Sequence, residues 1–170
     1  MMFHSRDQEQ SWYDTAQICL NGHVITSSAT TFPKLKRQFC DKCGAATITE
    51  CPKCGANIRG YYHVPGVFNF NFRFSAPKFC SDCGAAYPWT ESSLEAAHNL
   101  AEEIEQLSEE DRNIITDSLD ELVKETPQTE VAAIRLRKIM HKVDAETADA
   151  LKRIIVDIVD EAAKKAIFGP

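Results

Sequence analysis

The chain has 170 residues, of which 44% are hydrophobic and 26% charged, and a formal net charge of −6. That length fits one domain or two small ones and excludes a large enzyme core. No apolar run approaches the length of about 18 residues needed to cross a bilayer, and Met1 to Asp7 lead into polar sequence without a signal-peptide core. The expectation is a soluble, cytoplasmic protein with no membrane partner.

Composition changes along the chain. All seven cysteines, six of seven glycines and eight of nine phenylalanines precede Glu91, which predicts a domain over 1–90 and a second over 91–170. The first 90 residues carry nine Lys/Arg against six Asp/Glu (+3), and the last 80 carry ten against nineteen (−9). Neither half has the dense basic patch of a typical polyanion-binding surface.

The first half is ordered by its cysteines. Four half-sites occur in sequence: Cys19-Leu-Asn-Gly-His23, Cys40-Asp-Lys-Cys43, Cys51-Pro-Lys-Cys54 and Cys80-Ser-Asp-Cys83. An odd number of cysteines cannot close as intramolecular disulfides, and a reducing compartment points CxxC pairs towards metal or redox chemistry. His23 brings the seven thiols to eight donors, which fill two tetrahedral zinc sites, one with three cysteines and a histidine and the other with four cysteines. Two residues between cysteines let one tight turn aim both sulfurs at one ion. Gly44, Gly55 and Gly84 follow the second cysteine of each pair, where φ > 0 is commonly needed. A redox CxxC is the main competitor, but it would need a βαβ setting that the sequence does not show.

The half-sites join into two sites in three ways. The long stretches from His23 to Cys40 and from Cys54 to Cys80 have room for β-hairpins, whereas Cys43 to Cys51 leaves seven residues. This favours Cys19, His23, Cys40 and Cys43 for one zinc and Cys51, Cys54, Cys80 and Cys83 for the other. A crossed, interlocked pairing stays open. His63 lies near a knuckle, but the donor set is complete without it. His4 falls in the polar N-terminal stretch, and His98 and His141 lie in helical sequence far from any cysteine.

Between the third and fourth half-sites, Val67 to Phe74 alternates strictly and predicts a strand. Phe68, Phe70, Phe72 and Phe74 would share one face, with Asn69, Asn71 and Arg73 on the other. An exposed strip this apolar is an aggregation hazard, so burial against a core is the first expectation. A partner-binding surface formed by the four phenylalanines and Arg73 is the functional alternative, as a dock for a partner or a stacking platform for bases. Lys34, Lys36, Arg37, Lys42 and Lys53 on the knuckle loops are read as solvated and give nucleic acid only weak support.

The second half predicts four helices with apolar stripes at spacings of three and four. Ser92 and Ser93 precede the stripe Leu94, Ala97, Ala101, Ile104 and Leu107. Ser108 caps a second helix with Ile115, Leu119 and Leu122, and Pro127 interrupts it. Thr129 is expected to cap a third with Ala132, Leu136, Ile139, Met140 and Val143. Asp144 starts a fourth with Ala148, Leu151, Ile155, Ile158 and Ala162, ended by Gly169-Pro170. An antiparallel bundle with an acidic, solvated outer face accounts for these positions, and its apolar faces leave a homodimer open. The fold class is α+β: a double zinc ribbon followed by a helical bundle.

Paired knuckles of this kind resemble zinc ribbons. The resemblance extends from Trp12 to Glu91 through Cys19-Leu-Asn-Gly-His23, Phe39-Cys-Asp-Lys-Cys-Gly-Ala45, Cys51-Pro-Lys-Cys54, Ile58-Arg-Gly-Tyr-Tyr-His-Val-Pro-Gly66 and Phe79-Cys-Ser-Asp-Cys-Gly-Ala-Ala-Tyr-Pro-Trp-Thr90. The segment looks like a bacterial family of double zinc-ribbon proteins. The resemblance implies a metal-binding fold in a bacterial or phage setting, with the helical tail a more variable appendage, and it supplies no activity. Ribbons with a Cys-x-x-x-His followed by Phe-Cys-x-x-Cys-Gly place those four ligands on one ion, which supports the sequential pairing.

A catalytic zinc keeps a coordination position open for water, whereas both donor sets here close. The sequence also lacks HExxH, a P-loop, the Gly-x-Ser-x-Gly elbow and the zinc-deaminase signature. Asp41, Glu50 and Asp82 beside the knuckles read as hydrated surface. The expected function is therefore a non-enzymatic protein with two structural zinc ions per chain that binds another protein. The alternatives are a nucleic-acid-binding regulator and a RING-like ligase adaptor, the last tied to crossed pairing.

Overall fold

The computed structural model describes residues 10–67, 72–159 and 161–169, the side chains at 157, 158, 161 and 162 excepted. The chain divides into two compact units, Met1–Trp89 and Thr90–Pro170. Short strands make up the first and helices the second, which is an α+β architecture.

The first unit holds two small antiparallel sheets. In one, β1 (Trp12–Thr15) pairs with β5 (Arg59–His63). In the other, β2 (Gln17–Cys19) lies between β3 (Val24–Thr26) and β4 (Thr47–Ile48). Aromatic residues stand opposite one another along the β1–β5 ribbon, Trp12 against His63 and Tyr13 against Tyr62, the kind of cross-strand pair that stabilises a two-stranded sheet. Gly60 is dictated by close approach, because a Cβ there would lie 2.1 Å from the Ser27 carbonyl oxygen. The stretch from His23 to Cys40 forms no hairpin of its own. After β3 it turns through a 3-10 segment, Pro33–Leu35.

The apolar core of this unit is small. Ala16, Ile18, Ile58, Tyr87 and Trp89 pack with Cys51 and Cys80, and Ile48, Ala56, Phe74 and Ala76 lie against them. Tyr87 and Trp89 stack at 4.6 Å, and the Trp89 indole N–H donates to the Pro77 carbonyl at 2.8 Å. The predicted strand over 67–74 is not formed where it is described. Residues 72–77 carry no strand, and Phe68 to Asn71 lie outside the described residues. Alternation sets which side chains share a side, but among the described residues no neighbouring strand supplies ladder hydrogen bonds to Phe72–Phe74.

One buried carboxylate ties the unit together. Asp14 is 1% exposed and accepts the backbone N–H groups of Thr15, Thr30 and Thr31 at 2.7, 2.9 and 3.3 Å, while His63 Nε2 lies 3.2 Å from its Oδ2. Burial raises its pKa, but the hydrogen bonds from Thr31, Thr30, His63 and Thr15 outweigh that and hold it below the ordinary carboxylate value.

The second unit has five helices among its described residues rather than the four expected: α1 (Pro88–Glu103), α2 (Glu109–Leu122), α3 (Gln128–Met140), α4 (Ala145–Ile158) and α5 (Glu161–Phe168). α1 begins at Pro88, ahead of the serines expected to mark its start, because proline at the first helical position forfeits only an N–H that has no intrahelical partner. Ser108 caps α2 by accepting from the Asp111 N–H, and Asp144 caps α4 by accepting from the Thr147 N–H. Thr129 does not cap α3, whose N-cap is Pro127. Its hydroxyl instead donates to the Lys124 carbonyl beyond the end of α2.

α3 packs against α2 and α5 through buried Ala132, Ala133, Leu136 and Ile139, and Ile115, Leu119 and Leu122 form the buried face of α2. The predicted fourth helix is split, since Val159 takes an extended conformation (φ −98°, ψ 158°) and α5 starts afresh. Ile158 and Ala162, expected on its stripe, are outside the described side chains.

Asp14→Ala strands three backbone N–H groups and is expected to destabilise the first unit by about 2–4 kcal/mol. Because folding lowers the Asp14 pKa, its contribution is complete above the unfolded value of about 3.9 and is lost as pH falls through the folded value. Denaturant unfolding of the parent and Asp14→Ala chains should therefore differ most at neutral pH and converge below about pH 4.

Candidate metal centres

The three CxxC turns are built alike. In each, the first cysteine's N–H donates to the carbonyl five residues on (Cys40 to Ala45, Cys51 to Ala56, Cys80 to Ala85, all 2.8 Å), and the glycine N–H returns to that cysteine's carbonyl. Gly44, Gly55 and Gly84 take φ of 71–74°, and this left-handed step turns the chain after each glycine so that the next residue's carbonyl can accept from the first cysteine's N–H. An antiparallel bridge closes each turn: Phe39 with Ala46, Glu50 with Asn57 and Phe79 with Ala86.

The His23 half-site has three residues between its donors instead of two. Leu20, Asn21, Gly22 and His23 link β2 to β3 in a tight hairpin closed by Cys19 N–H to His23 C=O at 3.0 Å. The His23 N–H also points to the Cys19 sulfur at 3.3 Å, and the Asn21 side-chain amide reaches the Cys43 sulfur at 3.5 Å.

These turns gather the eight donors into two clusters, Cys19, His23, Cys40 and Cys43 in one and Cys51, Cys54, Cys80 and Cys83 in the other. Within each, the ligand atoms all lie within 4.8 Å of one another. The half-sites meet in chain order, with no interleaving.

The separations test whether a metal fits. Metal–sulfur bonds of about 2.3 Å and metal–nitrogen bonds of about 2.0 Å in a tetrahedron put sulfurs about 3.8 Å apart and sulfur about 3.5 Å from nitrogen. Cys19 and Cys43 Sγ are 3.8 Å apart, Cys51 and Cys83 3.8 Å, and Cys54 and Cys80 3.7 Å. His23 Nδ1 stands 3.5 Å from Cys19 Sγ and 3.6 Å from Cys40 Sγ. A disulfide would need about 2.05 Å. Both clusters thus have the donors and spacing to hold a tetrahedral metal ion, with His23 presenting Nδ1.

Electrostatics without a cation are strained. Backbone N–H groups lower two thiols to about 6, Cys43 chiefly through Ala45 and Cys80 chiefly through Asp82 and Cys83. Their neighbours go the other way. At Cys54 the Ala56 N–H lowers the pKa, but Cys83, burial, Cys80 and Cys51 together raise it to about 12. Burial raises Cys19, against N–H groups of His23 and Asn21 that lower it, with Cys43 and Cys40 adding to the rise. A crowded thiol set cannot ionise fully until positive charge enters. Tyr87 feels the same thiolates, its pKa raised by burial and then by Cys80.

His63 joins neither cluster. It bonds Asp14, stacks on Trp12 at 4.2 Å and meets Tyr61 edge-on at 4.8 Å, and Tyr61 in turn meets Phe72 at 4.7 Å. Phe72 and Phe74 stack at 6.3 Å. Of the residues singled out as a partner surface, Phe72 and Arg73 are exposed, Phe74 leans on the core, and Phe68 and Phe70 lie outside the described residues. Sequence reasoning missed Asp14 and the continuous ring series. Only the aromatic density of 12–13 and 61–63 signals the series in advance. In the second unit His98 Nε2 lies 3.4 Å from Asp120 Oδ1.

The chain belongs to the bacterial family described as "Uncharacterized protein conserved in bacteria (DUF2321)", which matches residues 12–167. The match covers the helices as well as the cysteine region, so the family includes the helical unit. No curated protein and no solved structure matches the chain.

At Gly84 a Cβ would meet nothing within 4 Å, so the only cost of substitution there is the left-handed backbone, φ 73°. Gly84→Ala should lower stability by about 1–2 kcal/mol in denaturant unfolding, and Gly84→Asn by less.

Proposed function

We propose that this member of the family is a structural zinc protein, in which two zinc ions fold the first unit and hold it rigid as a binding module for another protein. The observation that carries the reading is the pair of closed four-donor clusters at tetrahedral separations. Seven thiolates and one imidazole are soft donors suited to zinc, and a first unit with so few buried apolar residues needs stability from another source. Structural zinc contributes on the order of 10 kcal/mol or more per site, comparable to the whole stability of an ordinary domain.

Charge supports the same reading. Seven thiolates and two zinc ions change the +3 of residues 1–90 by −7 and +4, which brings it to zero. The complete donor sets leave no position for a reacting water, so the reading is non-catalytic. Reduced thiols at this density suit the cytoplasm. The partner face we favour is the ring series from Trp12 through His63 and Tyr61 to Phe72, beside exposed Arg73. Aromatic rings next to arginine also favour a second reading, in which that face stacks the bases of a single-stranded nucleic acid. The chain-order clusters give no support to a RING-like arrangement.

Elemental analysis of protein purified without chelator is expected to give two zinc ions per chain, with Cys43→Ser and Cys54→Ser each reducing zinc retention at a different site. Chelation should collapse the near-ultraviolet signal of Trp12 and Trp89 while leaving most of the helical far-ultraviolet signal. Retention of a single zinc, or a first unit that stays folded in chelator, would overturn the proposal. Salt-sensitive retention on RNA or DNA would select the second reading.

A further inference from the structure

A surface next to the first cluster has apolar residues that no packing explains. Every residue from Thr30 to Phe39 is exposed, including Phe32 at 56%, Leu35 at 48% and Phe39 at 57%. Lys34, Lys36 and Arg37 are interleaved with them, and no carboxylate occurs between Asp14 and Asp41.

Despite its exposure the segment is held in place. Asp14 accepts the N–H groups of Thr30 and Thr31, and the Gln17 side chain grips the Arg37 backbone from both sides at 2.9 Å, accepting from its N–H and donating to its carbonyl. Phe32 N–H reaches the Ser28 carbonyl, Leu35 N–H closes the 3-10 turn on the Phe32 carbonyl, and the Arg37 guanidinium donates to the carbonyls of Lys34 and Lys36. Phe32 is the N-cap of that turn and Leu35 its last residue, and both side chains are exposed. Ala46 bridges Phe39 on one side and its carbonyl accepts the Leu20 N–H on the other, which extends the β2–β4 register and puts these three exposed residues on one face.

We propose that residues 30–39 are a peripheral docking surface for an anionic lipid bilayer, with Phe32, Leu35 and Phe39 entering the interface and Lys34, Lys36 and Arg37 meeting lipid phosphates. A bilayer interface offers acyl chains and negative headgroups at adjacent depths, which matches apolar tips interleaved with cations along one exposed segment. Holding the turn in place beforehand removes most of the ordering cost of binding. Nucleic acid fits less well, because Leu20 and Leu35 give bases nothing to stack on. Among the described residues no helix is long and apolar enough to cross a membrane, so the contact would be at the surface only. This proposal stands apart from the protein-binding reading and uses different residues.

The test is co-sedimentation of the full-length, zinc-loaded protein with phosphatidylcholine vesicles, with and without phosphatidylglycerol. Partition should rise strongly with phosphatidylglycerol and fall with added salt. Lys34→Ala and Lys36→Ala should each lower it by about fivefold, and Phe32→Ser and Leu35→Ser each by about tenfold. All four positions are exposed, so zinc content and far-ultraviolet spectra should not change, which separates lost docking from lost folding. Equal partition onto neutral vesicles, or no response to Phe32→Ser and Leu35→Ser, would overturn the proposal. So would retention on single-stranded RNA through these residues without a preference for phosphatidylglycerol.

Discussion

The first unit depends on one constraint: four short turns must deliver eight soft donors to two points in space. Its strands run from two to five residues, and its core is a handful of side chains around Ile18, Ile58, Tyr87 and Trp89. Two cysteines, Cys51 and Cys80, belong to that core as well as to a cluster. Packing and ligand geometry are therefore not separable here. A change that moves a sulfur also opens the core, and a change in the core moves a sulfur. The thiol electrostatics point the same way, because the N–H groups that favour a thiolate at Cys43 or Cys80 cannot carry the charge of a whole cluster.

The second unit is stabilised by different means. Its stability comes from apolar stripes on α2, α3 and their neighbours and from side-chain caps at Ser108 and Asp144. Acidic residues gather in the first turn of α2, where the helix dipole favours them, and Asp111 adds an ion pair with Lys142 at 2.7 Å. The acidic excess of the helical half thus has a local explanation in helix termini and solvated faces, with no need for a cationic partner.

What the sequence makes legible follows the range of the interactions involved. A CxxCG turn closes within six residues, so Cys40, Cys51 and Cys80 announce their geometry locally, and counting donors singles out His23 as the eighth. Helical stripes are equally local, and Ala97, Ala101, Ile115, Leu119, Leu136 and Leu151 are buried as their spacing implies. The ribbon of β1 and β5 was not legible, because its partners are nearly fifty residues apart and neither strand alternates cleanly. Asp14 reads as an ordinary surface carboxylate until Thr30 and Thr31 are brought to it. The phenylalanine alternation is only partly followed for a related reason: periodicity assigns faces, but a strand also needs a neighbour, and among the described residues Phe72–Phe74 pair with none. The break after Ile158 was hidden because neither Val159 nor Asp160 is a helix breaker like glycine or proline.

Two chemically different four-donor clusters share one small unit, and the proposed zinc sites are these clusters, each closed by its own four ligands. Cadmium substitution followed by one-dimensional 113Cd NMR tests this most directly, because the nucleus reports the number of bound thiolates. Two resonances of equal intensity are expected, one in the four-thiolate range and one in the range for three thiolates and an imidazole, the second lost in His23→Ala. A single resonance, two identical environments, or an unchanged spectrum in His23→Ala would contradict it.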